Sequence, residues 1–301
     1  MARGVRAAKG EAAPKVTKAK RVAVEGRPAA KKSPKPAASE DRPAYFAPAL
    51  EKGLDVLELL STLSAPVTPS QIAQMLGRSL QEVYRVVLAL ERRGYLVRPP
   101  GEEALILSTH LFGLGTLYPP FRRVVDVAQP IMNALALESY QAIHMAVLDG
   151  LNQRIIAQVD SPAAIAVRLR VGAASPAVRG TSGRTLVAFQ TPGVQDWMFR
   201  EAERTIDAEQ LAVSRQRIAR IRERGYEMID GEVLKDVTDI CFPIRNGAGI
   251  AMATITMPFL HSPTAIVPFE AACRMLFDAA DRVTRVVGGQ MPTVSFPLSR
   301  D

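Results

Sequence analysis

The stretch that decides the fold of the first half runs Thr68-Pro69-Ser70-Gln71-Ile72-Ala73-Gln74-Met75-Leu76-Gly77. It continues Arg78-Ser79-Leu80-Gln81-Glu82-Val83-Tyr84-Arg85-Val86-Val87-Leu88-Ala89-Leu90-Glu91-Arg92-Arg93-Gly94. Thr68 with Gln71, and Ser79 with Glu82, each set a hydroxyl three residues ahead of a Gln or Glu, the pattern of a capping box. Pro69 falls at a first helical position. Ile72, Ala73 and Leu76 give the first helix a short apolar face and Gly77 stops it. Leu80, Val83, Val86, Val87 and Leu90 give the second helix its face, and Gly94 ends it. Upstream, Leu50, Leu54, Leu57 and Leu60 recur at three and four residues, predicting a buried helix that ends at Ser64-Ala65-Pro66. Downstream, Tyr95 to Arg98 and Ala104 to Leu107 read as short strands around Pro99-Pro100-Gly101. Residues 43–108 therefore read as a winged helix-turn-helix, whose second helix suits the DNA major groove.

Charge placement agrees with that use. From Arg78 to Arg98 there are five arginines, at 78, 85, 92, 93 and 98, against Glu82 and Glu91. With Leu80, Val83, Val87 and Leu90 turned inward, helical spacing turns Gln81, Glu82, Tyr84, Arg85 and Arg92 outward. Ser79 at the cap, Arg78 before it, Arg93 after it and Arg98 in the wing complete the DNA-contacting set. The alternatives for the same residues are a solvated helix face or a winged helix that docks on protein.

The chain has 301 residues, 48% of them hydrophobic, enough for a sizeable core and two domains. Its formal charge of +8 would mislead if taken whole. Of 38 Lys and Arg, 12 lie in residues 1–42 with only 4 acidic residues, leaving 26 basic and 26 acidic residues for the rest. That Ala-, Lys- and Pro-rich tail lacks bulky apolar residues and is expected to be disordered. Two cysteines, Cys241 and Cys273, make no disulfide framework. No apolar run reaches the roughly 18 residues a bilayer span needs, so a cytoplasmic protein without a membrane partner is expected.

Thr109 to Leu117 predicts a linking helix within a linker of residues 109–118, and Pro119-Pro120 marks the boundary of a second domain, 119–301. There a helix over Val124 to Glu138 precedes a hairpin, Ala142 to Leu148 and Arg154 to Val159, turning at Asp149-Gly150. Further strands are read at Ala166 to Val171, Val237 to Ile244 and Gly249 to Met257. Helices are read at Ser182 to Phe189, Gly193 to Glu203, Ala208 to Arg224 and Pro263 to Val287. Adjacent strand pairs with helices on either side predict an α+β domain on an antiparallel sheet.

Catalytic patterns are lacking: His110, His144 and His261 are widely separated, and HExxH, GxSxG, P-loop and GxGxxG signatures do not occur. No enzyme activity, metal or cofactor is expected. Cys241 and Cys273 read as small buried hydrophobes. The better signal is polar residues inside apolar strands, because a buried polar group must find a partner. Asp239 interrupts Val237 to Phe242, and Thr254 and Thr256 share one face opposite Ala253 and Ile255. His144 sits mid-strand. Thr181 and Ser182 open a helix whose N-terminal N–H groups favour an anionic ligand. Thr on a strand surface or Ser as a helix cap would be the plainer explanation.

From about Pro48 to Gly289 the chain resembles an IclR-family transcriptional regulator. The resemblance is carried by Ala49 to Leu57, by Val83-Tyr84-Arg85 with Leu90 to Leu96, by Thr181 to Ala188, and by Arg224-Gly225-Tyr226 with Asp239 to Ile244. Their order and spacing together are specific. The resemblance implies a GAF-like effector domain behind the winged domain. It also implies a homodimer or pair of dimers on a palindromic operator, and a small effector, commonly a carboxylic or aromatic catabolite. By position it puts Gln81, Glu82, Tyr84 and Arg85 in the groove, Arg98 in the wing, and Asp239, Thr254 and Thr256 in the effector pocket. Two departures stand out: Gln81-Glu82 where relatives often carry Ser-Thr, with Glu82 able to accept from a cytosine amino group, and Val178 where a His is common.

Overall fold

The computed structural model describes residues 47–117, 119–263 and 265–300; the expected tail over residues 1–42 lies outside them. Three helices open the chain, α1 (Pro48–Ser61), α2 (Pro69–Met75) and α3 (Leu80–Arg92), followed by β1 (Leu96–Val97) and β2 (Ile106–Leu107). Both capping boxes form, Thr68 with Gln71 and Ser79 with Glu82. Gly77 (φ +62°) and Gly94 (φ +77°) take the left-handed conformation that ends a helix at little cost. Val56, Leu60, Ile72, Val83, Val87, Leu96 and Leu105 make the core of this domain.

Two inward assignments fail. Leu80 is 48% exposed because it opens α3, ahead of the turn that packs on α1 and α2. Leu50 and Leu54 are 61% and 45% exposed. The leucine stripe of α1 is real, but among the described residues nothing covers its N-terminal half. Burial falls instead on Val56 and Leu60.

Helix α4 (His110–Leu117) leads to α5 (Pro119–Ser139), which begins at the prolines rather than after them and carries Pro130 inside. The second domain then runs β3 (Ile143–Asp149), β4 (Asn152–Val159), β5 (Ala174–Pro176), α6 (Thr181–Ala188), α7 (Pro192–Ala202), α8 (Ala208–Arg224), β6 (Glu227–Asp230), β7 (Val237–Arg245), β8 (Ala251–Leu260) and α9 (Phe269–Val286). The six strands form one sheet in the order β5-β4-β3-β8-β7-β6, and every neighbouring pair is antiparallel.

The strand expected at Ala166 to Val171 is absent. The edge of β4 is taken by Ala174–Pro176, and Ile165 and Val171 stay 78% and 55% exposed. Alternation without a free edge does not make a strand. Strand β6 escaped the sequence reading because Glu227 and Asp230 flank only two apolar residues. Helix α9 starts later than expected, since Pro268 serves as its N-cap.

Antiparallel pairing fixes which side chains share a face. Ile143, Met145, Ile240, Phe242, Ile255 and Met257 pack under α5 and α9 in the larger core. The opposite face carries His144, Ala146, Cys241 and the two threonines of β8, and α6 lies across it. All eight residues of α6 are buried. The approach is so close that a Cβ at Gly183 would lie 2.1 Å from the Ala177 carbonyl oxygen.

Candidate functional site

Two places collect the polar residues singled out by sequence. In the winged domain, Gln81, Tyr84, Arg85 and Arg92 lie exposed along α3, and Arg93 caps its end. Leu88, 44% exposed, adds an apolar group to the same outward side. The other candidates are engaged within the domain. Glu82 accepts from Lys52 Nζ at 2.6 Å and from the Ser79 hydroxyl at 2.9 Å. That hydrogen bond from Lys52, reinforced by Ser79, holds its carboxyl at about 2. The Lys52 pair therefore competes with any cytosine for the Glu82 acceptor. Arg78 pairs with Asp55 at 2.5 Å, and Arg98 Nε donates to Glu91 at 2.8 Å while its Nη1 bonds the Glu103 carbonyl. Arg98 thus ties the wing to α3.

In the second domain the register sets His144 opposite both Gln158 and Thr256, and Thr254 opposite Ala146 and Pro243. Ser182 of α6 reaches down to this row: its hydroxyl lies 2.8 Å from Thr256 Oγ1 and 3.2 Å from His144 Nε2. Ser182 is not a helix cap, because Gly180 occupies that position. Three buried polar atoms here have no partner: His144 Nδ1, Thr254 Oγ1 and Gln158 Oε1. Burial holds the His144 imidazole down at about 4, so it is neutral at pH 7. Burial likewise pushes the Cys241 thiol up to about 12, which removes it as a nucleophile.

Beside this row runs an ion-pair network. Arg184, 3% exposed, donates from Nε to the fully buried Glu227 at 2.9 Å and from Nη1 to Glu232 at 2.8 Å, and Arg217 lies 3.4 Å from Glu227. Thr181 joins through its hydroxyl, 3.1 Å from Glu232. Asp239 does not join the His144 row by any hydrogen bond. Its carboxyl is raised to about 6, mainly by burial and secondarily by the charge of Glu232. A cleft of about 690 Å³ opens at this end, lined by Arg184, Arg217, Glu232 and residues of α8.

Sequence reasoning missed Gln158, Arg184, Glu227 and Glu232. Gln158 was legible in principle, as a polar residue at an inward position of β4. The acidic partners of Arg184 come from an unread edge strand and the loop after it.

A winged helix-turn-helix joined to an α+β domain with a polar row buried beneath a helix defines a two-domain regulator of transcription. Residues 49–100 match the IclR helix-turn-helix domain, and residues 121–285 match the bacterial transcriptional regulator IclR C-terminal domain. The chain belongs to the IclR family, and its resemblance in sequence is borne out. The transcriptional repressor IclR of Escherichia coli (strain K12) is 25% identical over 270 residues, covering 86% of this chain and 97% of its own. The transcriptional regulator BhcR of Paracoccus denitrificans is 26% identical over 246 residues, covering 78% and 88%. An IclR homolog from Microbacterium hydrocarbonoxydans, solved in complex with 4-hydroxybenzoate, shares the fold with a TM-score of 0.66 at 21% identity, covering 79% of this chain and 98% of its own. Both domains of the chain are matched by transcription regulators. Among the described residues no helix is long and apolar enough to cross a membrane.

Proposed function

We propose that the chain binds a palindromic operator as a homodimer or a pair of dimers, through Gln81, Tyr84, Arg85 and Arg92. A small organic acid or aromatic catabolite held at the His144, Ser182, Thr254 and Thr256 row, with Thr181 and Asp239 at its margin, changes that affinity. Three buried polar atoms without partners carry the effector reading, since each costs about 1 to 3 kcal/mol until something bonds it. The first turn of α6 adds N–H groups with no helical acceptor, suited to a carboxylate. The hydroxyls and neutral imidazole of the row suit a phenol or alcohol group. The 4-hydroxybenzoate complex of the Microbacterium relative, an acid and a phenol in one ring, supports the same class. Exposed Leu50, Leu54, Phe112 and Leu114 on α1 and α4 support self-association. The tail, with its 12 basic residues, would add phosphate contacts independent of sequence.

Titration against the DNA flanking its own gene, with scrambled competitor at two salt concentrations, should show saturable, competitor-resistant binding. Equal competition by scrambled DNA would overturn the operator reading. Deleting residues 1–42 should weaken binding to all sequences alike and flatten the salt dependence, by about 0.9 in slope for each phosphate no longer neutralised. A panel of hydroxylated aromatic acids, 4-hydroxybenzoate first, should raise the melting temperature. Thr254→Val and Asp239→Ala should abolish that rise and keep operator binding without ligand, whereas unchanged shifts in both would refute the pocket.

A further inference from the structure

Several arginines of the second domain meet carboxylates, as Arg154 meets Asp149 and Arg285 meets Asp281. Arg222 and Arg245 are different. Arg222 Nη1 donates only to main-chain oxygens, those of Ala188 at 3.0 Å and Gln190 at 3.3 Å. Arg245 donates from Nε to the Gly249 carbonyl at 3.0 Å, and its guanidinium stands 5.2 Å over the Phe189 ring. Both line one cleft of about 420 Å³ with Gln190, Thr191 and Pro192. They are close enough that Arg222, after burial, helps to lower the pKa of Arg245. Two like charges are thus anchored by neutral carbonyls, with most of their five N–H donors each unspent.

The third wall of the cleft is the start of α7. Thr191 is its N-cap, yet its hydroxyl makes no capping bond, and Pro192 follows at the first helical position. A helix start, an unspent hydroxyl and two guanidiniums without a carboxylate converge on one concave surface.

We infer that this cleft, at the C-terminal end of α6 and apart from the His144 row, binds a small oxyanion, a carboxylate or a phosphate, between Arg222 and Arg245. The two forks reach the anion's oxygens, the Thr191 hydroxyl adds a donor from the third wall, and Phe189 supports the Arg245 plane. The site does not depend on the effector row, so the chain carries two distinct small-molecule sites joined by one buried helix.

Isothermal titration of the full chain with inorganic phosphate and, separately, with malonate in low-chloride buffer tests it and tells the two anion chemistries apart. At least one probe should bind saturably. Arg245→Gln should weaken it about tenfold or more, Arg245→Lys less, and Thr191→Val severalfold, while Thr254→Val should leave it unchanged. Thr191 is exposed at a helix start, so its variant tests the site even if the arginine variants do not fold. Absence of saturation with both probes, equal binding by Arg245→Gln or Thr191→Val and wild type, or loss in Thr254→Val would overturn the assignment.

Discussion

The two domains handle their polar groups in opposite ways. On α3 the candidate DNA contacts lie at the surface, and the others in the domain are tied up by neighbours, Glu82 by Lys52, Arg78 by Asp55 and Arg98 by Glu91. Under α6 the polar groups are buried, and three of their atoms are left without partners. The contrast follows from the ligands. A duplex as large as the domain meets donors that stay hydrated until contact, so nothing need be stored unpaired. A small effector must be taken out of water, so its site keeps desolvated groups waiting. Orphaned atoms clustered in one row therefore support the proposed effector site, and they are no guide to a DNA face.

Substitutions can break this contrast, starting with the deepest. Arg184→Ala leaves Glu227 buried with only Arg217 beside it and should cost about 3 to 5 kcal/mol in chemical denaturation. A loss under 1 kcal/mol would mean that the network is solvated. Arg85→Ala should leave stability alone but reduce operator discrimination by about 1 to 3 kcal/mol, read as the ratio of specific to non-specific affinity. An unchanged ratio would take Arg85 out of the groove.

Titration sharpens the contrast further. As pH falls from 6.5 to about 4, the unfolded chain takes a proton on His144 that the native chain refuses, so this residue makes stability fall. Asp239 acts in reverse: between 3.8 and about 6 the native chain takes the proton first, so stability rises as pH falls. Relative to wild type, His144→Gln should therefore gain stability toward acid and Asp239→Asn should lose it. Shifts of the same sign in both variants would contradict the assignment. The smallest effect is expected on the surface, where Lys52→Ala, removing a solvent-screened pair with Glu82, should leave the denaturation midpoint nearly unchanged.

How much of this was legible in the sequence varies with range. The capping boxes of α2 and α3 are local chemistry, three residues apart, and they form as read. Thr254 and Thr256 fall on one face by alternation alone, and that is the face α6 covers. What the sequence could not supply was the partner across space. Leu50 and Leu80 look inward by spacing, yet nothing among the described residues covers them. Ser182 looks like a cap until its hydroxyl meets Thr256, 74 residues away in sequence. Arg184 sits in a stretch that carries the family resemblance, but its meaning lies in Glu227 and Glu232, on an edge strand too short to be recognised and in the loop that follows it.

The contact between Gly183 and the Ala177 carbonyl has a mechanical consequence. Two backbones that touch without an intervening side chain cannot slide past one another by rotamer adjustment, as packed side chains can. Helix α6 and the segment leading out of β5 must then move as one body. A ligand that pulled on Ser182, as proposed, would displace that segment together with the helix, whose last carbonyl Arg222 holds.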